Sequence, residues 1–390
     1  MSKINELIKE MCPNGVEYLE LYKVVKWNKK FSGVNNDWQN EIFTTKSNIS
    51  AQELKSLLFE DGNIKLLSTG NFDGYTSSTV YDGPVDDYEI ITIPSGGTAN
   101  IKYYNGKFIN SGNILGTTID KNKYNLKYVY YCLINKKNLI QSFFRGSSVQ
   151  HPDMKQIIQI TIPIPPIEVQ VEMVRILDKF GELEAELEAE LEARKSQYEF
   201  WREKLLSNNN RQVCISDIVD ISRGKRVVKK DLEMYSCNLN PVFQNSLAPL
   251  GYYSDYNCEG DTTYIITAGA AGDIGYSYSR FWAADDCLVC KSCNEIDSKY
   301  LYYYLINNQS YIKSYVRKAS VPRLSKNVIE KMKICLPTLD EQKKIVDTLD
   351  KFNKLINDII VGLPAEIELR RKQYEYYRNK LLSFEDIINE

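Results

Sequence analysis

Apolar residues recur at helical spacing along two long stretches of the chain, while the remainder breaks into short runs of β-type. In the first stretch Val174, Leu177, Phe180, Leu183, Leu187, Leu191, Tyr198, Trp201 and Leu205 fall near one helical face. The second presents Leu349, Phe352, Leu355, Ile356, Ile359, Tyr374, Tyr377 and Leu381 in the same manner. Each stripe covers about 30 residues or more, which makes a helix of roughly 45–60 Å at the standard rise. A stripe of that length needs an apolar partner, and the sequence offers the other helix. Packing between the two is therefore the expected role of Phe180, Leu183, Leu187, Leu191, Tyr198, Trp201, Phe352, Tyr374 and Tyr377.

The two stripes belong to a longer repetition. RKSQYEFWREKLLS from Arg194 is echoed by RKQYEYYRNKLLS from Arg371. Upstream, KYVYYCLIN at Lys127 matches KYLYYYLIN at Lys299, SSV at Ser147 matches ASV at Ala319, and IPPIEVQVEMVRILDKF at Ile164 matches LPTLDEQKKIVDTLDKF at Leu336, each at an offset of 172. IITIPSGGTANI and YIITAGAAGDI align at 173, each a β-rich run entering a turn of small residues. A period of about 170 residues suits a duplicated domain followed by a helix, not a solenoid unit.

Within each copy the order is the same. Short β-branched and aromatic runs broken by Gly, Asn and Asp come first, as in LLSTGNFDGYTSSTVYDG and PVFQNSLAPLGYYSDYNC. A tyrosine-rich helix follows, then a proline-marked strand end (Pro163, Pro165 and Pro166; Pro337) that opens the long helix. The second long helix has four more residues between LDKF and QYE, with Pro364 among them, and a bulge, kink or break is expected there. The chain opens with NELIKEMCPNGVEYLELYKVV, a short helix and a strand of the same character. Its two ends would meet if the halves closed into a pair with pseudo-twofold symmetry. The fold class is therefore α+β: two tandem strand-rich α/β domains, each followed by a long helix, with the helices paired.

Charge changes the picture more than composition does. The formal net charge is −2, but Glu182, Glu184, Glu186, Glu188, Glu190 and Glu192 lie in one helical run, and setting them aside leaves +4 for the rest. Basic clusters then stand out at Lys29 and Lys30, in RGKRVVKK from Arg223 (Arg223, Lys225 and Arg226 foremost), and at Arg317, Lys318 and Arg323. No apolar run approaches the roughly 18 residues of a membrane span, and the N-terminus is amphipathic and unlike a signal peptide. A cytoplasmic protein is expected.

Catalytic chemistry finds little support. Nine cysteines are scattered, and the C-x-x-C-x-x-C of Cys287, Cys290 and Cys293 has no fourth ligand and reads as a strand that turns Cys290 away from the other two. The single histidine, His151, has no counterpart in the second copy. NPVF at Asn240 is similar to the Asn-Pro-Pro-aromatic motif of amino-methylating DNA methyltransferases but lacks the second proline. GAAGDIG at Gly269 has the glycines of a nucleotide loop, yet β-like YSYSRFW follows where a helix is required. No catalytic, metal or cofactor residue is therefore assigned to this chain.

The halves share loops in which small polar residues adjoin basic ones. The first carries Ser68, Thr69 and Asn71; Ser95, Thr98, Asn100 and Lys102; and Arg145, Ser147, Ser148 and Gln150. The second carries Gln244, Asn245 and Ser246, then Arg317, Lys318, Ser320 and Arg323. Asn and Gln pair with adenine edges, Arg and Lys with guanine or phosphate, and hydroxyls with either. The copies agree around the helices and differ in these loops, as reading heads for different sequences would.

With IPIPPIEVQ and CLPTLDEQ entering long helices, GSSV and KASV before them, and strand-rich domains in duplicate, the chain resembles the specificity subunit of type I restriction-modification systems over essentially its whole length. ELEAELEAELEA from Glu182 resembles the tetrapeptide repeats in the central spacer of one subgroup, whereas Val169 departs from the EQ pair that Glu341 keeps in the second copy. The resemblance implies a first target recognition domain (1–165), a central spacer helix (166–207), a second target recognition domain (208–337) and a C-terminal spacer helix (338–390). It further implies an antiparallel helix pair acting as a ruler between two heads, each reading half of a split site in double-stranded DNA. Two modification subunits with S-adenosylmethionine and restriction subunits with ATP and Mg²⁺ are the implied partners, and this chain alone would be inactive. A stand-alone DNA adenine methyltransferase and a coiled-coil adaptor that does not bind DNA are the competing readings.

Overall fold

The computed structural model describes residues 2–207, 211–228, 230, 232–233 and 238–384, the side chains of 2, 3 and 356–361 excepted. The chain forms two compact units, Met1–Glu186 with Glu366–Glu390, and Leu187–Ala365. Among the described residues, no helix is long and apolar enough to cross a membrane.

The first unit is built on a six-stranded sheet in the order Val25–Trp27, Asn113–Thr118, Asp86–Pro94, Lys102–Asn110, Ile64–Leu67, Tyr75–Thr76. All neighbours are antiparallel except Ile64–Leu67, which runs parallel to Lys102–Asn110. The run Ile90–Pro94 is buried on both faces because the helix Leu126–Asn135 covers one and the cluster of Phe43, Leu67, Phe108 and Leu115 covers the other. A separate antiparallel pair joins Glu17–Glu20 to Thr161–Ile164, which delivers the chain to the central helix, Ile167–Ser207. Ile4 and Ile8 of the N-terminal helix share one core with Leu381, Leu382 and Phe384, and the Tyr18 hydroxyl donates to the Ser383 carbonyl at 2.9 Å. The N-terminal helix and the last described residues of the C-terminal helix meet there, in keeping with the duplicated plan.

The second unit repeats the scheme with a smaller sheet. Val219–Arg223, Cys287–Ser292, Thr262–Ile266 and Ile274–Ser277 form an antiparallel four-stranded sheet under the helix Ser298–Asn307. Gly251–Tyr253, Asn240–Phe243 and Trp282–Ala283 make a second sheet, and Gln212–Cys214 pairs with Lys333–Cys335 just before the C-terminal helix, Leu339–Ser383. Cys287 and Cys290 are core residues, their thiols pushed up to about 12 by burial, while Cys293 is exposed.

In both units one set of side chains fastens the domain to its long helix. Asp178 accepts from the Lys127 amine at 2.7 Å and the Tyr131 hydroxyl at 2.5 Å, and Asp350 accepts from Lys299 at 2.7 Å and Tyr303 at 2.6 Å. Burial, then the carboxylate acceptor, holds both phenols well above their ordinary range, so they remain donors. Gln170, fully buried, accepts from the Asn125 amide and donates to the carbonyls of Lys123 and Pro165; Gln342 does the same with Asp297, Glu295 and Pro337. Loss of either glutamine would strand buried backbone groups at about 1–3 kcal/mol each. The helix starts also differ: Val169 is buried in the first, while Glu341 closes a capping box with Thr338 in the second.

The helices pair antiparallel within each unit. Phe180 packs on Tyr377 and Tyr374 at centroid distances of 5.7 and 6.2 Å, and Glu184, one turn on, meets Arg371. In the second unit Leu205 and Leu206 share a core with Val346 and Leu349, while Tyr198, a turn or two earlier, is within reach of Asn353. Leu187, Leu191 and Phe352 are half-buried. Three residues of the predicted stripes are exposed. Leu183, Trp201 and Leu355 are 39%, 37% and 59% exposed, and Trp201 meets Phe200 and the Lys204 amine. At 100° per residue Leu183 lies about 60° from the face of Phe180, whereas Leu187 and Leu191 return to within about 20° of it. The side chains of Ile356 and Ile359 lie outside the described residues. At Pro364 the helix continues without a break, since an exposed proline forfeits one backbone bond and four residues make slightly more than a whole turn.

Candidate nucleic-acid interface

In the first unit the strands Phe144–Arg145 and His151–Pro152 pair as a hairpin whose tip is residues 146–150. Gly146 makes the reversal at φ 143, where a Cβ would lie 2.3 Å from the Val149 carbonyl oxygen. Arg145, Ser147, Ser148, Val149 and Gln150 are all exposed on this tip. The tip is held against the turn at 95–98: the Gly97 amide donates to the Gln150 carbonyl at 2.8 Å, and His151 Nδ1 lies 2.6 Å from the Ser95 carbonyl oxygen. Gln141 adds a strap, accepting from the Ala99 amide and donating to the Gln150 side chain. Lys29, Lys30, Ser95, His151 and Lys155 line an open cleft of about 390 Å³ beside it. Thr98 is exposed on the same turn.

The neighbouring loop, 68–71, corrects part of the sequence reading. The Ser68 hydroxyl is buried and donates to the Phe72 carbonyl at 2.9 Å. The Lys102 amine donates to the carbonyls of Ser68 and Gly70, both at 2.7 Å, and burial lowers its pKa. Asn100 Nδ2 donates to Gly70 and Thr69. Ser68, Asn100 and Lys102 thus brace the loop from behind, because their polar atoms are engaged by its carbonyls. Asn71 is exposed and Thr69 half-buried.

The second unit gathers its predicted residues in the same way. Gln244, Asn245 and Ser246 follow the strand Asn240–Phe243, and the Asn245 carbonyl accepts from the Ala270 amide at 2.9 Å. Gly269, at φ 78, allows this approach, since a Cβ there would stand 2.8 Å from the same oxygen. Arg317 and Arg323 close a hairpin by mutual backbone bonds, and Leu324 ties it to Thr267 at 2.8 Å. Lys318, Ala319, Ser320 and Val321 are exposed on its tip. Arg223, at the end of the strand Val219–Arg223, and Lys225 and Arg226 just beyond it are exposed; there the Lys225 amide donates to the Ala283 carbonyl and the Trp282 indole donates to the Lys225 carbonyl. Lys229 of this run lies outside the described residues.

Some surface cations are ion-paired, whereas the described cations of these loops are not. Lys23, Lys65 and Arg280 each hold a carboxylate. Among the described residues, Lys29, Lys30, Arg145, Arg223, Lys225, Arg226, Arg317, Lys318 and Arg323 have none within 4.0 Å, which leaves them available to phosphate. His151, Lys155, Val149 and Val321 adjoin these groups although the sequence reading did not select them. The recurrence of SSV and ASV at one offset was the available signal for the valines.

The segments read for enzymatic motifs lie in paired strands and a turn. Asn240–Phe243 is the middle strand of a sheet, with Pro241 opposite Tyr252, and GAAGDIG turns between two antiparallel strands. Among the described residues, no three His, Cys, Asp or Glu side chains are grouped to hold a metal.

Two domains on a shared pair of helices, each ending in exposed loops, define a DNA specificity architecture. The family pattern described as the type I restriction modification DNA specificity domain matches the chain twice, over residues 36–193 and 208–369, and the chain belongs to that family. A putative type I restriction enzyme specificity subunit of Haemophilus influenzae is 31% identical, over 91% of this chain and 97% of that one. A type I restriction enzyme specificity subunit of Escherichia coli is 32% identical over 69% of this chain and 73% of its own. The crystal structure of a type I system S subunit from M. genitalium shares the fold with a TM-score of 0.59 at 16% identity, covering 95% of this chain and 97% of that one.

Proposed function

We propose that this chain is the DNA sequence-recognition subunit of a type I restriction-modification complex, each half reading one part of a split target site. The observation that carries this reading is duplication with divergence. The fastening of domain to helix is repeated bond for bond, whereas the exposed loops at the ends of the domains differ. A scaffold that must present two different readings at a set separation requires both properties.

On this reading the chain is not itself a catalyst. Two modification subunits dock on it and supply S-adenosylmethionine, restriction subunits supply ATP and Mg²⁺, and the complex works on DNA in the cytoplasm. A stand-alone DNA adenine methyltransferase is less well supported, since the NPVF segment is a paired strand. An adaptor that never meets DNA leaves the unpaired arginines on both hairpins without a purpose. Exchange of residues 1–165 for the corresponding domain of a relative is the test. One half of the methylated site should change and the other persist. Change in both halves together would refute independent reading, and tight S-adenosylmethionine binding by the purified chain would favour the methyltransferase.

A further inference from the structure

Val149 and Val321 stand at the same place on the two hairpins, 52% and 48% exposed, each after a serine and four residues beyond an unpaired arginine. The tips that carry them are closed at their bases by backbone pairing. Arg145 pairs with His151 and Arg317 with Arg323, and in the first unit the Val149 side chain rests over Gly96, where an added Cβ would come within 3.1 Å. A lone exposed valine is ordinary on a protein surface, but one that recurs at the same place on both hairpins is available to a common partner. The surroundings say which partner. Arg145, Lys29 and Lys30 adjoin the first tip, and Arg317, Lys318 and Arg323 the second, so each valine is set in a basic field that suits a polyanion and opposes an apolar protein face.

We propose that Val149 and Val321 are wedges, each pressed by its hairpin between adjacent base pairs of one half-site to unstack that step. The inference rests on the DNA-recognition reading. Sequence readers should differ between two heads that read different sequences, and Gln244–Ser246 bears no likeness to the first-half loops. The valines are the same in both heads, which suits a contact with something every duplex has, the base stack. Apolar side chains inserted between steps loosen stacking, and a base cannot be modified until it leaves the stack. The neighbouring arginine, by holding phosphate, would supply the purchase against which the wedge is driven.

The test uses the complex assembled from the full chain and its modification subunits, with duplexes carrying the site mapped from methylation. Aminopurine, whose fluorescence rises on unstacking, replaces an adenine in one half or the other. With the natural chain, fluorescence should rise in both halves. Val149→Ala should abolish the rise in the first half alone, Val321→Ala in the second alone, each weakening binding by about tenfold with the salt slope unchanged. Val149→Leu, which keeps the apolar bulk, should restore the signal. A rise that survives both alanine variants overturns the wedge. So does loss of assembly with the modification subunits in the absence of DNA, which would assign the valines to a protein contact. A natural complex that binds no DNA would instead overturn the recognition reading on which the wedge depends.

Discussion

Arg145 and Arg317 each begin a hairpin tip at the same place in the two halves. A shared position suits phosphate, which is the same in every sequence, better than a base, which is not. Arg145→Ala or Arg317→Ala should weaken binding to all duplexes alike and lower the slope of log K against log salt by about one. A new sequence preference with an unaltered slope would contradict that role. Residue types on the loops were legible in the sequence, but the direction of a side chain was not. Lys102 looked like a contact residue, yet its acceptors lie 34 and 32 residues back along the chain, at Ser68 and Gly70. Nothing local in KYYNG could announce that.

At the scale of elements, the long helices were the most legible part, because their periodicity is written locally and many times over. Their seam was less so. The tract from Glu182 to Ala193 places Leu183 in solvent and Leu187 and Leu191 only half inside, so here the helix owes its stability to good helix formers more than to packing. A weakly packed tract can change length without dismantling a core. One further ELEA unit adds about 6 Å of helix and about 40° of rotation, against a rise of about 3.4 Å per base pair. Its insertion should lengthen the spacer of the methylated site by one to two base pairs, and its deletion should shorten it, with both half-sequences retained. Methylome sequencing decides the matter; an unchanged spacer would deny the tract its role as a ruler.

At the scale of the whole chain, each unit takes helix segments from both halves of the sequence. The Asn135 side chain in the first unit accepts from Arg378 of the C-terminal helix, and Asn307 in the second accepts from Arg202 of the central helix. Each domain is thus held by the beginning of its own helix and the end of the other. This was legible as a repeat, whereas the exchange itself depends on contacts across 243 and 105 residues, beyond any local pattern. Since Ile4, Ile8, Leu382 and Phe384 share one core, the order of the halves along the chain is a secondary matter. A permuted chain, opened between Ser207 and Arg211 with the original ends joined, should fold with Tm within about 4 °C of the natural chain and direct methylation to the same site. An insoluble permutant, or one that methylates elsewhere, would show that connectivity matters more than the shared core implies.

The repeated fastening also bears on inheritance. Lys127, Tyr131, Asp178 and Gln170 recur as Lys299, Tyr303, Asp350 and Gln342 at one common offset. A gene segment that encodes a head with that lysine and tyrosine, and with an asparagine placed like Asn135 for the end of the other helix, brings its own half of the fitting. A single crossover near the codons for Pro165 and Pro166 would then transfer an intact head onto a helix already prepared for it. The descendant would recognise a new site in one generation, without passing through a misfolded ancestor.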